Sequence, residues 1–186
     1  MSCDLLPTEQ PGPHYQGDIY DIINNNWDMM IAHPPCTYLA NSGAKHLYLK
    51  MKKINGFNKI RLKLMKEGAL FFKKLWNSNI PKIAMENPIM LGYAKKIIGC
   101  GQSQIIQPWQ FGCGETKATC LWIKNLPLLK PTKIVSGRNP KVHMEPPGEN
   151  QWKNRSRTYQ GIADAMAAQW GDENDFKEPK LKGFEI

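Results

Sequence analysis

The chain has 186 residues and a formal net charge of +9, with 41% apolar and 22% charged residues. That length suffices for one well-buried domain, and the apolar content argues against a disordered chain. No window approaches the roughly 20 apolar residues of a membrane-spanning helix, and no charged-then-apolar signal pattern opens the sequence. Five cysteines, at 3, 36, 100, 113 and 120, form no framework pattern, which suits a reducing cytoplasm. The basic excess points to a polyanion partner, because Lys and Arg neutralise phosphates; the plainer alternative is charge for solubility.

The first segment, Met1–Leu6, is short and apolar enough for a strand, with Asp4 near its end and the turn-rich Pro7–Pro13 behind it. A second short run, His14–Ile19, carries Gly17 and Asp18 and leads into a short helix, Tyr20–Asn25. An acidic residue at the end of such a strand is where nucleotide-type cofactors have a ribose held. The plainer reading of Asp4 and Asp18 is turn chemistry, since Asp bonds nearby backbone N–H groups.

Trp27–Gly43 then begins apolar, with Met29, Met30, Ile31 and Ala32, and breaks at His33-Pro34-Pro35-Cys36. An apolar run stopped by a Pro pair predicts a buried strand delivering a loop at its carboxyl end, where open α/β sheets bind ligands. Two prolines stiffen the chain before Cys36, as a nucleophile requires. A free Cys that is simply a small buried hydrophobe is the equal alternative.

Lys45–Asn58 is basic and interrupted by Asn55-Gly56, which suggests a short helix and a mobile loop. The periodicity predicts a helix over Lys59–Asn77, with Ile60, Leu64, Leu70, Phe71 and Leu75 on its apolar face and lysines on the other. Ile80–Met85 predicts a strand ending in Glu86-Asn87-Pro88, and Met90–Ile97 a helix. A carboxylate at that strand end can hydrogen-bond a ligand's ring nitrogen, or sit at the next helix's start and favour its dipole.

Gln104–Phe111 and Ala118–Ile123 predict a β-hairpin joined by Gly112–Lys117. Pro127–Gly148 predicts a surface loop, Gln151–Arg157 a polar, basic stretch with Trp152, Arg155 and Arg157, and Tyr159–Trp170 a helix rich in Ala and Met. Residues 1–170 then form one domain, and Gly171–Ile186 a charged tail. A zinc site from Cys100, Cys113, Cys120 and His143 lacks the close Cys pairs such sites use, so no metal is expected. A serine hydrolase is not expected either, because no G-x-S-x-G elbow occurs.

The order of these features resembles the DNA cytosine-5 methyltransferase family, most nearly its short phage and prophage members. Pro35-Cys36 matches the family's Pro-Cys motif. Glu86-Asn87 matches its Glu-Asn-Val motif, with Pro88 in place of Val. Gly161–Gln169 is similar to its last motif, which folds back to complete the cofactor pocket. The resemblance covers most of the chain at low density. It implies a three-layer, Rossmann-like α/β methyltransferase sheet, a hairpin and a closing helix; four apolar runs that each end in a polar residue predict strands ending at Asp4, Asp18, Cys36 and Glu86 along one edge.

The resemblance also implies S-adenosylmethionine as cofactor, held by Asp4, Asp18, Pro34, Pro35 and Gly161, and transfer of its methyl group to C5 of cytosine in DNA. Cys36 would be an accessible, unusually thiolate-like nucleophile and Glu86 the group at the ring. Asn87, Lys117, Thr119, Arg155 and Arg157 would contact substrate. Three departures stand beside it. The sequence begins after the place of the family's first strand and its Gly-containing loop, so the expected sheet is truncated there. Only about Pro127–Asn154 stands where the family has a large recognition region. The family's Gln-x-Arg-x-Arg hairpin motif is unmatched, Lys117 and Thr119 being the nearest polar residues. Two rivals follow: a catalytically inactive phage protein that binds nucleic acid or a host protein, and an enzyme modifying pyrimidines at the nucleotide level.

Overall fold

Alternation along two strands decides the central architecture. In a computed structural model, which describes residues 1–49, 56–144, 146, 148 and 155–171, strands β1 (Ser2–Asp4), β2 (His14–Gln16), β3 (Met29–Ala32), β4 (Lys82–Pro88), β5 (Gln104–Ile106) and β6 (Thr119–Lys124) are found. The last four form a mixed sheet in the order β3-β4-β6-β5. On β4 and β6, Ile83, Met85, Cys120 and Trp122 enter one apolar cluster, while Ala84 and Leu121 enter another. Successive side chains of a strand point to opposite faces, so both faces of these strands are buried.

Helices cover the two faces. α2 (Lys59–Trp76) and α3 (Gly92–Ile98) pack on the first, where Phe72 meets Trp122 edge-on with ring centroids 5.0 Å apart. α5 (Gln160–Trp170) lays Ile162, Ala165, Met166 and Trp170 on the second. The molecule is thus a mixed α/β fold with helices on both sides of this sheet, and none of its described helices is long and apolar enough to cross a membrane.

The expectation that Asp4, Asp18, Cys36 and Glu86 end strands along one sheet edge is corrected. β1 and β2 pair in parallel only with each other, as a separate ribbon, with Ser2, Cys3 and Asp4 opposite His14, Tyr15 and Gln16. Each is three residues long with largely open side chains, and among the described residues no strand bridges the ribbon to β3. Asp18 follows β2 as the N-cap of α1 (Ile19–Ile22).

The long helix runs almost as expected but is rotated about its axis. Asn58 caps it, its Oδ1 accepting from the Arg61 N–H at 3.1 Å. The buried stripe is Met65, Ala69, Phe72 and Leu75, whereas Ile60 and Leu70, expected on the apolar face, are exposed. The hairpin pairing of β5 and β6 is present and antiparallel. Its first strand stops at Ile106, because Pro108 starts a 3-10 turn over Pro108–Gln110 and cannot donate to a ladder. The expected surface loop, Pro127–Gly148, docks back on this turn through bridges Phe111–Lys133 and Glu115–Asn139 and contains α4 (Lys141–Met144). Residues 50–55 of the expected mobile loop, residues 149–154 with Trp152, and residues 172–186 of the expected tail lie outside the described residues.

Gly161 is needed for packing. A Cβ at this position would run into the Phe111 carbonyl oxygen and crowd the Phe111 side chain, so only glycine lets the first turn of α5 approach the hairpin connection. Gly161→Ala is expected to lower stability by about 1–3 kcal/mol, read as a lower urea midpoint at unchanged slope.

Candidate active site at the carboxyl ends of β3 and β4

The site begins with strand register. β3 and β4 pair in parallel, with Met29, Met30, Ile31 and Ala32 opposite Lys82, Ile83, Ala84 and Met85. The next residues, His33 and Glu86, therefore emerge side by side. Nδ1 of His33 lies 3.0 Å from Oε2 of Glu86; with the carboxylate as acceptor, the proton is on Nδ1. One residue further, the buried Asn87 donates from Nδ2 to the Pro34 carbonyl oxygen at 2.8 Å. Two adjacent residues of β4 thus hold two adjacent residues of the Pro-Pro-Cys loop. Past the prolines the chain turns at once, the Cys36 carbonyl accepting from the N–H groups of Leu39 and Ala40, both at 2.9 Å.

Cys36 ends up exposed, while Cys3, Cys100 and Cys113 are half-buried and Cys120 is buried. Its chemistry differs from expectation. Crowding by surrounding protein atoms pushes the thiol above its ordinary pKa, and the Glu86 carboxylate pushes in the same sense. The residue's own backbone N–H and the charges of Lys117 and Arg155 pull the other way and do not prevail. The expected thiolate-like Cys36 is therefore corrected: two neighbouring prolines fix a position but supply no positive charge.

The cations reach the site from the far end of the chain. Lys117 Nζ donates to the carbonyl oxygens of Arg155 and Arg157 at 2.9 and 3.3 Å, tying this segment to the hairpin connection. Tyr159 adds a second tie, its hydroxyl donating to Glu115 Oε2 at 2.7 Å, while Lys141 stands 3.7 Å from Oε1 of the same carboxylate. Burial, then the bond to Glu115, drives the Tyr159 phenol strongly upward, so it stays a donor. A cleft of about 290 Å³ opens here, lined by Glu115, Lys141, Arg155, Arg157 and Tyr159 among others. Arg157 also stands 3.7 Å from Glu9.

The residues expected to act together divide into groups. His33, Pro34, Pro35, Cys36, Glu86 and Asn87 are assembled directly, with Lys117 and Arg155 within reach of charge. Thr119 is buried, its hydroxyl donating to the Lys117 carbonyl oxygen at 3.1 Å, so it braces the strand instead of facing a substrate. Asn87 is likewise a brace of the loop, although its Oδ1 is buried without a donor among the described residues. Asp4 and Asp18 are remote in the sheet pairing and follow the turn chemistry set out as their alternative: Asp4 Oδ1 accepts from Leu6 N–H and Asp18 Oδ1 from Tyr20 N–H, both at 2.9 Å. Gly161 is closed off by Phe111. The His33–Glu86 pair is the connection that sequence reasoning missed; both residues follow an apolar strand run, and only the register makes them neighbours. Among the described residues no three His, Cys, Asp or Glu side chains converge as a metal site would need.

Compared with known proteins, the chain matches no family model and no curated protein.

Charge around Cys36 can be tested one neighbour at a time. Iodoacetamide modification of Cys36 should accelerate with pH across the alkaline range, since only the thiolate reacts. At pH 8, Glu86→Gln should speed it several-fold and Arg155→Ala should slow it, as followed by peptide mass spectrometry; equal rates in all three proteins would refute the electrostatic account. Asn87→Ala removes the clamp on Pro34 and is expected to cost about 1–3 kcal/mol of stability, measured by thermal unfolding.

Proposed function

We propose that this chain transfers a methyl group from S-adenosylmethionine to C5 of cytosine in DNA, with Cys36 as nucleophile and Glu86 as the group facing the ring. The observation that carries the reading is the convergence, by β3–β4 register, of an exposed cysteine on a stiff loop with a His-paired carboxylate 3.0 Å from its partner. One further feature supports it. The cleft at Tyr159 carries Lys141, Arg155 and Arg157, suited to phosphates, beside the Glu115 carboxylate, and the charge of Arg155 also reaches Cys36.

The fit to the cofactor is uneven. Asp4 and Asp18 are exposed and each carboxylate keeps one oxygen that accepts no hydrogen bond among the described residues, so they retain the chemistry to hold hydroxyl groups. Pro35 is exposed and offers a rigid apolar surface, whereas Pro34 is buried and only stiffens the loop. Gly161 does not fit, being committed to Phe111. When bound, S-adenosylmethionine supplies an electrophilic methyl group. The chain's own residues do the rest. The Cys36 thiolate adds to C6, forming a carbon–sulfur bond and moving the C5–C6 π electrons toward C5. A proton shared between the Glu86 carboxyl group and N3, with His33 bonded to Oε2 of that group, would offset the charge that builds on the ring. Once C5 carries the methyl group, its proton passes to a water molecule, the C5–C6 double bond re-forms and Cys36 leaves as the thiolate. A base in a duplex must first leave the stack, at a cost of a few kcal/mol.

One observation favours the non-catalytic rival: the thiol is pushed up, not activated. The two readings separate in one assay, transfer of labelled methyl from S-adenosylmethionine to cytosine-containing DNA. Transfer is expected to rise with pH across the alkaline range and to vanish in Cys36→Ser, while Cys36→Ser still binds DNA through its lysines and arginines. Wild-type protein that binds DNA and transfers nothing would establish the binding role instead.

A further inference from the structure

Three aromatic rings remain on the surface at the far end of the turn that starts at Cys36. Tyr48, Phe57 and Tyr93 are 49%, 36% and 43% exposed. Tyr48 and Phe57 face each other across an isolated antiparallel bridge, anchored by the Asn58 N–H donating to the Leu47 carbonyl oxygen at 2.8 Å. Their rings are stacked, with centroids 5.2 Å apart and planes 27° from parallel, and Tyr93 meets Phe57 edge-on at 5.5 Å. The rings come from three supports: the end of the 3-10 turn Asn41–Leu47, the lead into α2, and the first turn of α3. Aromatic side chains carry a large apolar area, and a cluster left in water marks a contact surface.

The surrounding charge says what the contact is. Residues 37–66, which supply Tyr48 and Phe57, contain no Asp or Glu, and neither do residues 87–114, which supply Tyr93. Lys45, His46, Lys59 and Lys96 are exposed beside the rings in sequence. Exposed π faces on two basic stretches without Asp or Glu match a polyanion that offers π faces of its own. A duplex keeps its base faces stacked inside, whereas an unpaired strand presents them.

We infer that Tyr48, Phe57 and Tyr93 form a stacking platform for the unpaired bases of single-stranded nucleic acid, whose phosphates are held by the flanking lysines. This goes beyond methyl transfer and needs no chemistry at Cys36. The test is fluorescence anisotropy at fixed moderate salt with three labelled probes of equal length: an oligothymidylate of about fifteen nucleotides, the corresponding duplex, and a strand of the same backbone without bases. Wild-type protein should bind the oligothymidylate about tenfold or more tighter than the abasic strand, and tighter than the duplex. Tyr93→Ser and Phe57→Ser should each lose about tenfold for the oligothymidylate and nothing for the abasic strand.

Tyr93 lies on an exposed helix position, so its variant is the safeguard should Phe57→Ser fail to fold, as judged by circular dichroism. Cys36→Ser should bind like wild type, which separates this proposal from the fate of the methyl-transfer reading. Equal affinity for strands with and without bases, equal losses for both probes in the aromatic variants, or no binding to the oligothymidylate would each overturn the inference.

Discussion

Everything at the candidate site follows from one alignment: β3 and β4 run parallel with Ala32 opposite Met85. A shift of one residue would turn every side chain of β3 to the other face. It would also part His33 from Glu86 and move the Pro34 carbonyl oxygen away from Asn87. The register is in turn held by burial, because Ile83 and Met85 must face α2 and α3 while Ala84 faces the layer of α5. Packing on two sides of a strand thereby fixes which polar groups meet beyond its end.

The thiol at that end is pulled in two directions. Crowding by protein atoms and the Glu86 carboxylate raise its pKa, and they outweigh the charges of Lys117 and Arg155, which water screens. Placement and activation are separate properties here: the prolines give the first, and the second depends on residues more than eighty positions downstream.

Much of the fold was legible because its signals are local. The apolar run before Pro34, the apolar and basic faces of Lys59–Asn77 and the apolar run Ile80–Met85 before Glu86-Asn87-Pro88 each announce an element by period or punctuation. Pro88 was no obstacle to β4, since it lies at the strand's end. What the sequence hid is long-range. Nothing in Ser2–Asp4 or His14–Gln16 tells whether those runs join the main sheet or pair alone, because pairing depends on what lies alongside. The buried stripe of α2 was misread by its register, since Ile60 and Leu70 are as apolar as Met65 and Ala69 and only contact with the sheet distinguishes them. At the site, the Cys36 loop and Glu86 were readable as strand ends. The His33–Glu86 pair, the inward turn of Thr119 and the closure of Gly161 against Phe111 depend on elements far apart in sequence.

The tie between Lys117 and the carbonyl oxygens of Arg155 and Arg157 also has a meaning in time. A ribosome delivers β3 and β4 well before Lys117, and Lys117 well before Arg155. A nascent chain can therefore align Cys36 with Glu86 while neither cation has emerged. Loop and carboxylate can thus meet first, and the two cations join them only when the segment at Arg155 folds back onto Lys117.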